Sequence, residues 1–273
     1  MSRKKKNTET SPRFSGEITG KTLRPATWRL AEEVPVILLY GGEQFGVMML
    51  SPPDIEDFAI GFSLTEGIIS GAEEISDVRI EQVADGIMVN IIVPERSVKL
   101  SETRMRSVPG RSSCGLCGAQ SLEAAMPRPP VANGLLPDPE MVLKALAALP
   151  GKQPLNRQNF SMHAAALCDA KGTIILLRED VGRHNALDKL CGAMARDGLS
   201  SKDGFLVLSS RFSVEMAQKA AAMRFAFVAS VSAPTALALR VASQAKMRIA
   251  TQVGDELMVF DTAKNQKLTS PPR

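Results

Sequence analysis

The residues best suited to chemistry lie in Ser112-Ser113-Cys114-Gly115-Leu116-Cys117-Gly118, where two thiols stand three positions apart and each precedes a glycine. Gly115 and Gly118 accept positive φ and add no side-chain bulk, so a partner's sulfur could approach closely. A thiol reacts as its thiolate, and nearby cations lower its pKa. Arg104, Arg106 and Arg111 lie just upstream, with Pro109-Gly110 as a breaker, and the stretch has no hydrophobic periodicity of its own. This is the pattern of an exposed, reactive sulfur site. Its competitors are a lone zinc knuckle and a chance pair.

The remaining cysteines and histidines do not complete a metal site. Cys191 shares a helix face with Leu187, Leu190 and Met194, and Cys168 alternates into a strand, so both read as small buried hydrophobes. A four-cysteine zinc site therefore lacks its second pair. His163 and His184 fit no zinc spacing, and no bound metal is expected. Zinc deaminases combine His-x-Glu with a later Pro-Cys-x-x-Cys. Here the cysteines precede both histidines, neither histidine is followed by that acid, and Ser113 stands in the proline's place. Hydrolytic deamination is not supported. Thioredoxin-like exchange needs its Cys-x-x-Cys at an early strand–helix junction, whereas this pair is mid-chain, so thiol–disulfide oxidoreduction stands second.

The elements that must carry this motif follow from pattern. With 273 residues there is room for two moderate domains. Residues 1–20 read as a disordered basic tail, poor in apolar residues and led by Arg3-Lys4-Lys5-Lys6; no nucleic-acid role is assigned to it. Residues 21–136 read as a small hairpin-rich α+β domain ending in a mobile Cys-x-x-Cys loop and a proline-rich linker. It holds hairpins Val34–Tyr40 with Phe45–Leu50 and Ile75–Gln82 with Ile87–Val93. Between them lies a helix capped by Ser51, with Ile55, Phe58, Ala59 and Phe62 on one buried face, and closed by Gly67. Residues 137–273 read as an α/β cofactor-binding domain. A helix with Val142, Ala145, Leu146 and Leu149 on one face opens it, and strand–helix alternation follows from His163 onward. No secretory signal or membrane span is visible, and four cysteines make no disulfide framework, so a cytoplasmic setting is expected.

Ligands of open α/β sheets bind beyond the carboxyl ends of the strands, where helix N-termini favour anions. Three connections should meet there: Arg178 to Asn185, Ser209 to Ser213, and Ser232 to Thr235. They supply arginines, hydroxyls and free N–H groups suited to phosphate or pyrophosphate, with Arg183 and Arg211 able to grip bidentately. Residue by residue, the structural alternatives are an Asp180–Arg183 salt bridge and helix caps at Asn185 and Ser213. No P-loop and no Gly-x-Gly-x-x-Gly is present.

Taken together, these segments resemble the formate dehydrogenase accessory sulfurtransferase family, FdhD, from about Glu33 to Phe260. The resemblance rests on residues 61–69 (GFSLTEGII), 113–118 (SCGLCG), 163–166 (HAAA), 179–189 (EDVGRHNALDK) and 209–216 (SSRFSVEM), with Gln218-Lys219. It implies a protein that carries persulfide sulfur from a cysteine desulfurase to the bis-molybdopterin guanine dinucleotide form of the molybdenum cofactor, before insertion into formate dehydrogenase. It further implies a cytidine-deaminase-like α/β domain without the zinc, and a cytoplasmic homodimer. Cys114 would bear the persulfide, with Cys117 supporting or relaying it. Arg183, His184, Asn185, Arg211, Ser213 and Gly254 would contact the cofactor. A non-catalytic cofactor-binding chaperone is the other alternative. The chain departs from the family's usual pattern at Phe160-Ser161-Met162, where glycines are usual, at Phe212, where many members have proline, and at Ala250 to Asp255, which keeps Gly254 but lacks the usual arginine.

Overall fold

The computed structural model describes residues 11–20, 22–106 and 127–260. Cys114 and Cys117 lie outside the described residues. The chain builds two sheets of its own layers plus a short arm. The arm pairs β1 (Arg13–Ile18) with β2 (Arg24–Arg29), setting Phe14 opposite Trp28. The tail expected to stay unfolded through residue 20 thus becomes a strand at Arg13. Its cross-strand partners and its anchors in the large unit lie too far along the chain for local composition to reveal. Ser11 Oγ accepts from Asn159 Nδ2, Arg29 donates to Gln158, and Trp28 lies 5.9 Å from the Phe160 ring.

The small sheet runs β4-β3-β6-β5, built from β3 (Val34–Tyr40), β4 (Glu43–Leu50), β5 (Asp77–Val83) and β6 (Gly86–Ile92). Val36, Leu38 and Tyr40 alternate onto one face with Val89 and Ile91, and α1 (Ile55–Thr65) packs on it through Phe58 and Phe62. Helix α2 (Glu95–Arg106) follows β6.

The large sheet runs β12-β11-β10-β9-β7-β8, from β7 (His163–Cys168), β8 (Ile174–Asp180), β9 (Phe205–Arg211), β10 (Phe227–Ser232), β11 (Arg248–Val253) and β12 (Glu256–Phe260). Helix α3 (Pro139–Ala148) covers one face with the side expected, Val142, Ala145 and Leu146, against Phe205 and Val207. The short α4 (Asn156–Asn159) precedes β7. Helices α5 (Arg183–Arg196), α6 (Val214–Ala222) and α7 (Ala236–Gln244) contribute to the other core, which takes Leu206 and Leu208. Alternate residues of β9 thus feed opposite cores, as a strand buried on both sides requires.

The two sheets are joined through α1 and α5. Helix α1 is buried almost all round, not on one stripe, because α5 lies on its second side. The backbones cross at Gly61 and Gly192; a Cβ on Gly61 would sit 2.6 Å from Gly192 N and inside the Asp188 carbonyl. Ser51 also departs from its expected role. Asp54, not Ser51, caps α1, and Ser51 is wholly buried in a bridge to the large unit. Its N–H donates to Asp180 Oδ2 at 2.9 Å, its Oγ accepts from Val181 N, and its carbonyl accepts from Lys189 Nζ. Among the described residues, no helix is long and apolar enough to cross a membrane.

Candidate functional site

The expected gathering of loops follows from strand direction. Strand β7 is antiparallel to β8 and β9, while β10 is parallel to β9 and β11 to β10. The carboxyl ends of β8, β9, β10 and β11 therefore share one edge, to which β7 brings its first residue, His163. His163 pairs with Asp180 across the ladder, and Ser232 with Arg211.

The centre of this edge is the pair of helix N-termini that follow β8 and β9. Gly182 caps α5 and Ser213 caps α6, neither with a side-chain cap bond. Four of the expected residues, Arg183, His184, Asn185 and Ser213, fall in the first turns or cap positions here. Arg183 Nε, His184 Nε2 and Ser213 Oγ are buried and have no hydrogen-bond partner. Buried polar atoms are almost always paired. Three orphans at two neighbouring helix N-termini, one of them on a cation, suit an anion that offers acceptor oxygens.

Two expected contacts stand apart from that trio. Arg211 is exposed at the end of β9, on the rim. Gly254 is at φ 61° in the β11–β12 turn, on the same edge but two strands further on. Asn185 is engaged by the scaffold: its Nδ2 donates to Asp180 Oδ1 at 3.0 Å and to the Met49 carbonyl at 2.9 Å. Asp180 pairs with Lys189 at 2.6 Å, both wholly buried, and not with Arg183.

Electrostatics set the protonation of the site. Burial, then the Arg183 guanidinium, then His184, lower the His163 pKa below 6.5 against the pull of Asp180. The imidazole is thus held neutral in the fold, so the unfolded chain binds more protons just below pH 6.5. This contribution to stability is present above the unfolded-state value and is lost as pH falls beneath it. His163→Gln should flatten the stability-against-pH curve just below pH 6.5; an unchanged slope in urea titrations would contradict this.

Glu215, which the sequence reading did not single out, faces His184 from the first turn of α6. Its Oε2 is 3.9 Å from His184 Nε2, attractive but too long for a hydrogen bond. The imidazole beside it holds this carboxylate down to about 2 despite burial. One turn on, Lys219 and Asp188 meet at 3.0 Å, and Lys219 reaches Thr65 and Glu66 on the end of α1. The signal for Lys189 and Lys219 was a lysine amid apolar helix positions, a place tolerated only with a buried partner.

Among the described residues no cluster of histidine, cysteine and acidic side chains could hold a metal ion. The two described cysteines are buried as expected, and burial raises both thiols, that of Cys168 to about 12.

Comparison with known proteins agrees with this layout. The FdhD/NarQ family model matches residues 31–265. A sulfur carrier protein FdhD from Xanthomonas oryzae pv. oryzae is 45% identical over 221 residues, 81% of this chain and 79% of that one. Its namesake from Bordetella petrii is 43% identical over 222 residues, covering 81% and 80%. The crystal structure of a candidate formate dehydrogenase accessory protein from Desulfotalea psychrophila superposes with a TM-score of 0.70 over 92% of this chain and 96% of that one, at 21% identity.

Proposed function

This chain belongs to the FdhD/NarQ family, and from that premise we propose that it is a sulfur carrier serving formate dehydrogenase. The observation that carries the reading is 45% identity, across most of both chains, to a protein named sulfur carrier protein FdhD. Together with the Cys114-Gly-Leu-Cys117 motif, it favours sulfur transfer over simple disulfide exchange.

In this reading the Cys114 thiolate attacks the outer sulfur of a cysteine desulfurase persulfide. The donor's S–S bond breaks, the donor cysteine leaves as thiolate, and Cys114–S–SH forms. The substrate that accepts the sulfur is the bis-molybdopterin guanine dinucleotide cofactor. Its phosphates and guanine nucleotide would lie near Arg183, His184 and Ser213, with Arg211 on the rim and Gly254 further along the edge. The three orphaned buried atoms support an anionic ligand there. Cys117 closes the cycle by attacking the inner sulfur: hydrosulfide leaves toward molybdenum and a Cys114–Cys117 disulfide remains. A thiol reductant then returns two electrons to restore both thiols. The protein would act in the cytoplasm as a homodimer, holding no metal of its own.

Mass spectrometry after incubation with a cysteine desulfurase and cysteine tests the reading. A gain of one sulfur atom, removed by a thiol reductant, is the expected result. A protein that never gains that mass, yet reduces insulin disulfides, would be an oxidoreductase instead.

A further inference from the structure

Glu215 is an anomaly in the site just described. A carboxylate beside an anion receptor repels the ligand it borders, unless the ligand also brings a hydrogen-bond donor. The geometry around it is specific. His184 is 5% exposed and Ser213 8%, and the Nε2 of one and the Oγ of the other are unpartnered. Glu215 Oε2 lies 3.9 Å from that Nε2, its side chain 16% exposed and so open to solvent or ligand.

A proton on that Nε2 would set donor and acceptor face to face across a gap too long for a direct bond. One atom that accepts from the first and donates to the second would satisfy both. A hydroxyl oxygen does this. A ring N–H cannot accept from His184, and a phosphate oxygen cannot donate to Glu215.

We propose that Glu215 and His184 together receive a hydroxyl of the ligand, so that the site distinguishes a ribonucleotide from a bare phosphate or a deoxy analogue. The proposal rests on the nucleotide reading above and deepens it. The orphaned Arg183 Nε and Ser213 Oγ take phosphate oxygens, while the Glu215–His184 gap takes a ribose hydroxyl. Acidic residues that grip ribose hydroxyls near a helix-bound pyrophosphate are an established solution in unrelated nucleotide-binding sheets.

The test is isothermal titration of the full chain with GDP, 2′,3′-dideoxy-GDP and inorganic pyrophosphate, on the wild type, Glu215→Ala and Glu215→Gln. A hydrogen bond to a charged acceptor predicts that the wild type prefers GDP over the dideoxy analogue by roughly 10- to 100-fold. In Glu215→Ala that preference should vanish while pyrophosphate still binds. Glu215→Gln, which keeps an acceptor without the charge, should fall between. A preference that survives in Glu215→Ala, or equal binding of the two nucleotides to the wild type, overturns the proposal and leaves the anion site standing. Failure of both nucleotides and pyrophosphate to bind the wild type overturns the nucleotide reading and this inference with it. Glu215→Ala that loses pyrophosphate too, with an unchanged thermal midpoint, makes Glu215 a general support of the pocket and not a hydroxyl receptor.

Discussion

Alanine at Cys114 is expected to leave a folded protein that gains no sulfur and supports no formate dehydrogenase activity in a strain lacking the native carrier. The effect should be large because, among the described residues, no other thiol can take over. A persulfide acceptor must be a thiolate and must be reachable. Cys168 and Cys191 are wholly buried, and burial raises both thiols, so at neutral pH neither ionises nor meets a donor. Cys168→Ala and Cys191→Ala should therefore keep sulfur loading, with a modest loss of stability from the small cavities they leave. Cys117→Ala separates two roles. If Cys117 releases the sulfur, its variant should accumulate the Cys114 persulfide and deliver it slowly; if it only lowers the Cys114 pKa, loading itself should slow. Full formate dehydrogenase activity with Cys114→Ala would reduce the protein to a cofactor-binding chaperone.

What the sequence made legible was what local periodicity controls. The strands of the large sheet, the apolar face of α3 and the burial of Cys168 and Cys191 all follow from alternation or helical spacing. The shared sheet edge was legible too, since strand–helix alternation forces the connections to one side. What escaped were contacts set by tertiary packing. Ser51-Pro52-Pro53-Asp54 has the composition of a helix start, yet Ser51 bonds to Asp180, far along the chain. Helix α1 shows a single apolar stripe, but α5 approaches its other side at Gly61 and Gly192, where no side chain keeps the backbones apart. Phe160 is the reverse case. It stands at φ 58° and 70% exposed, in a left-handed conformation that glycine adopts without strain. Its ring lies on Trp28 of the arm, a contact that glycine could not make.

The bridge from Ser51 to the large unit also fixes how the site is built, and removing its central charge should have the largest effect on stability. Asp180 accepts from Ser51 N–H, Gly182 N–H and Asn185 Nδ2 and pairs with Lys189 at 2.6 Å, with no exposure of either charged side chain. Asp180→Ala would strand the Lys189 ammonium in the core with the Ser51 carbonyl alone to receive it. Breaking a buried pair from one side costs about 3–5 kcal/mol, a large part of the stability of a typical domain. Urea midpoints should fall accordingly, and Lys189→Met alone should show a loss of similar order. The double variant Asp180→Ala/Lys189→Met should recover part of that loss, because neither charge is then left unpaired. Recovery will be incomplete, since three donors still lack the carboxylate. Those donors include the N–H of Gly182, the cap of the helix that begins with Arg183 and His184. At moderate temperature, where the single variant remains folded, its pyrophosphate affinity should therefore drop while the rim residue Arg211 is untouched. A loss below about 1 kcal/mol for Asp180→Ala, within the range of an exposed pair, would mean that water reaches this core and that the small unit does not hold the anion site in place.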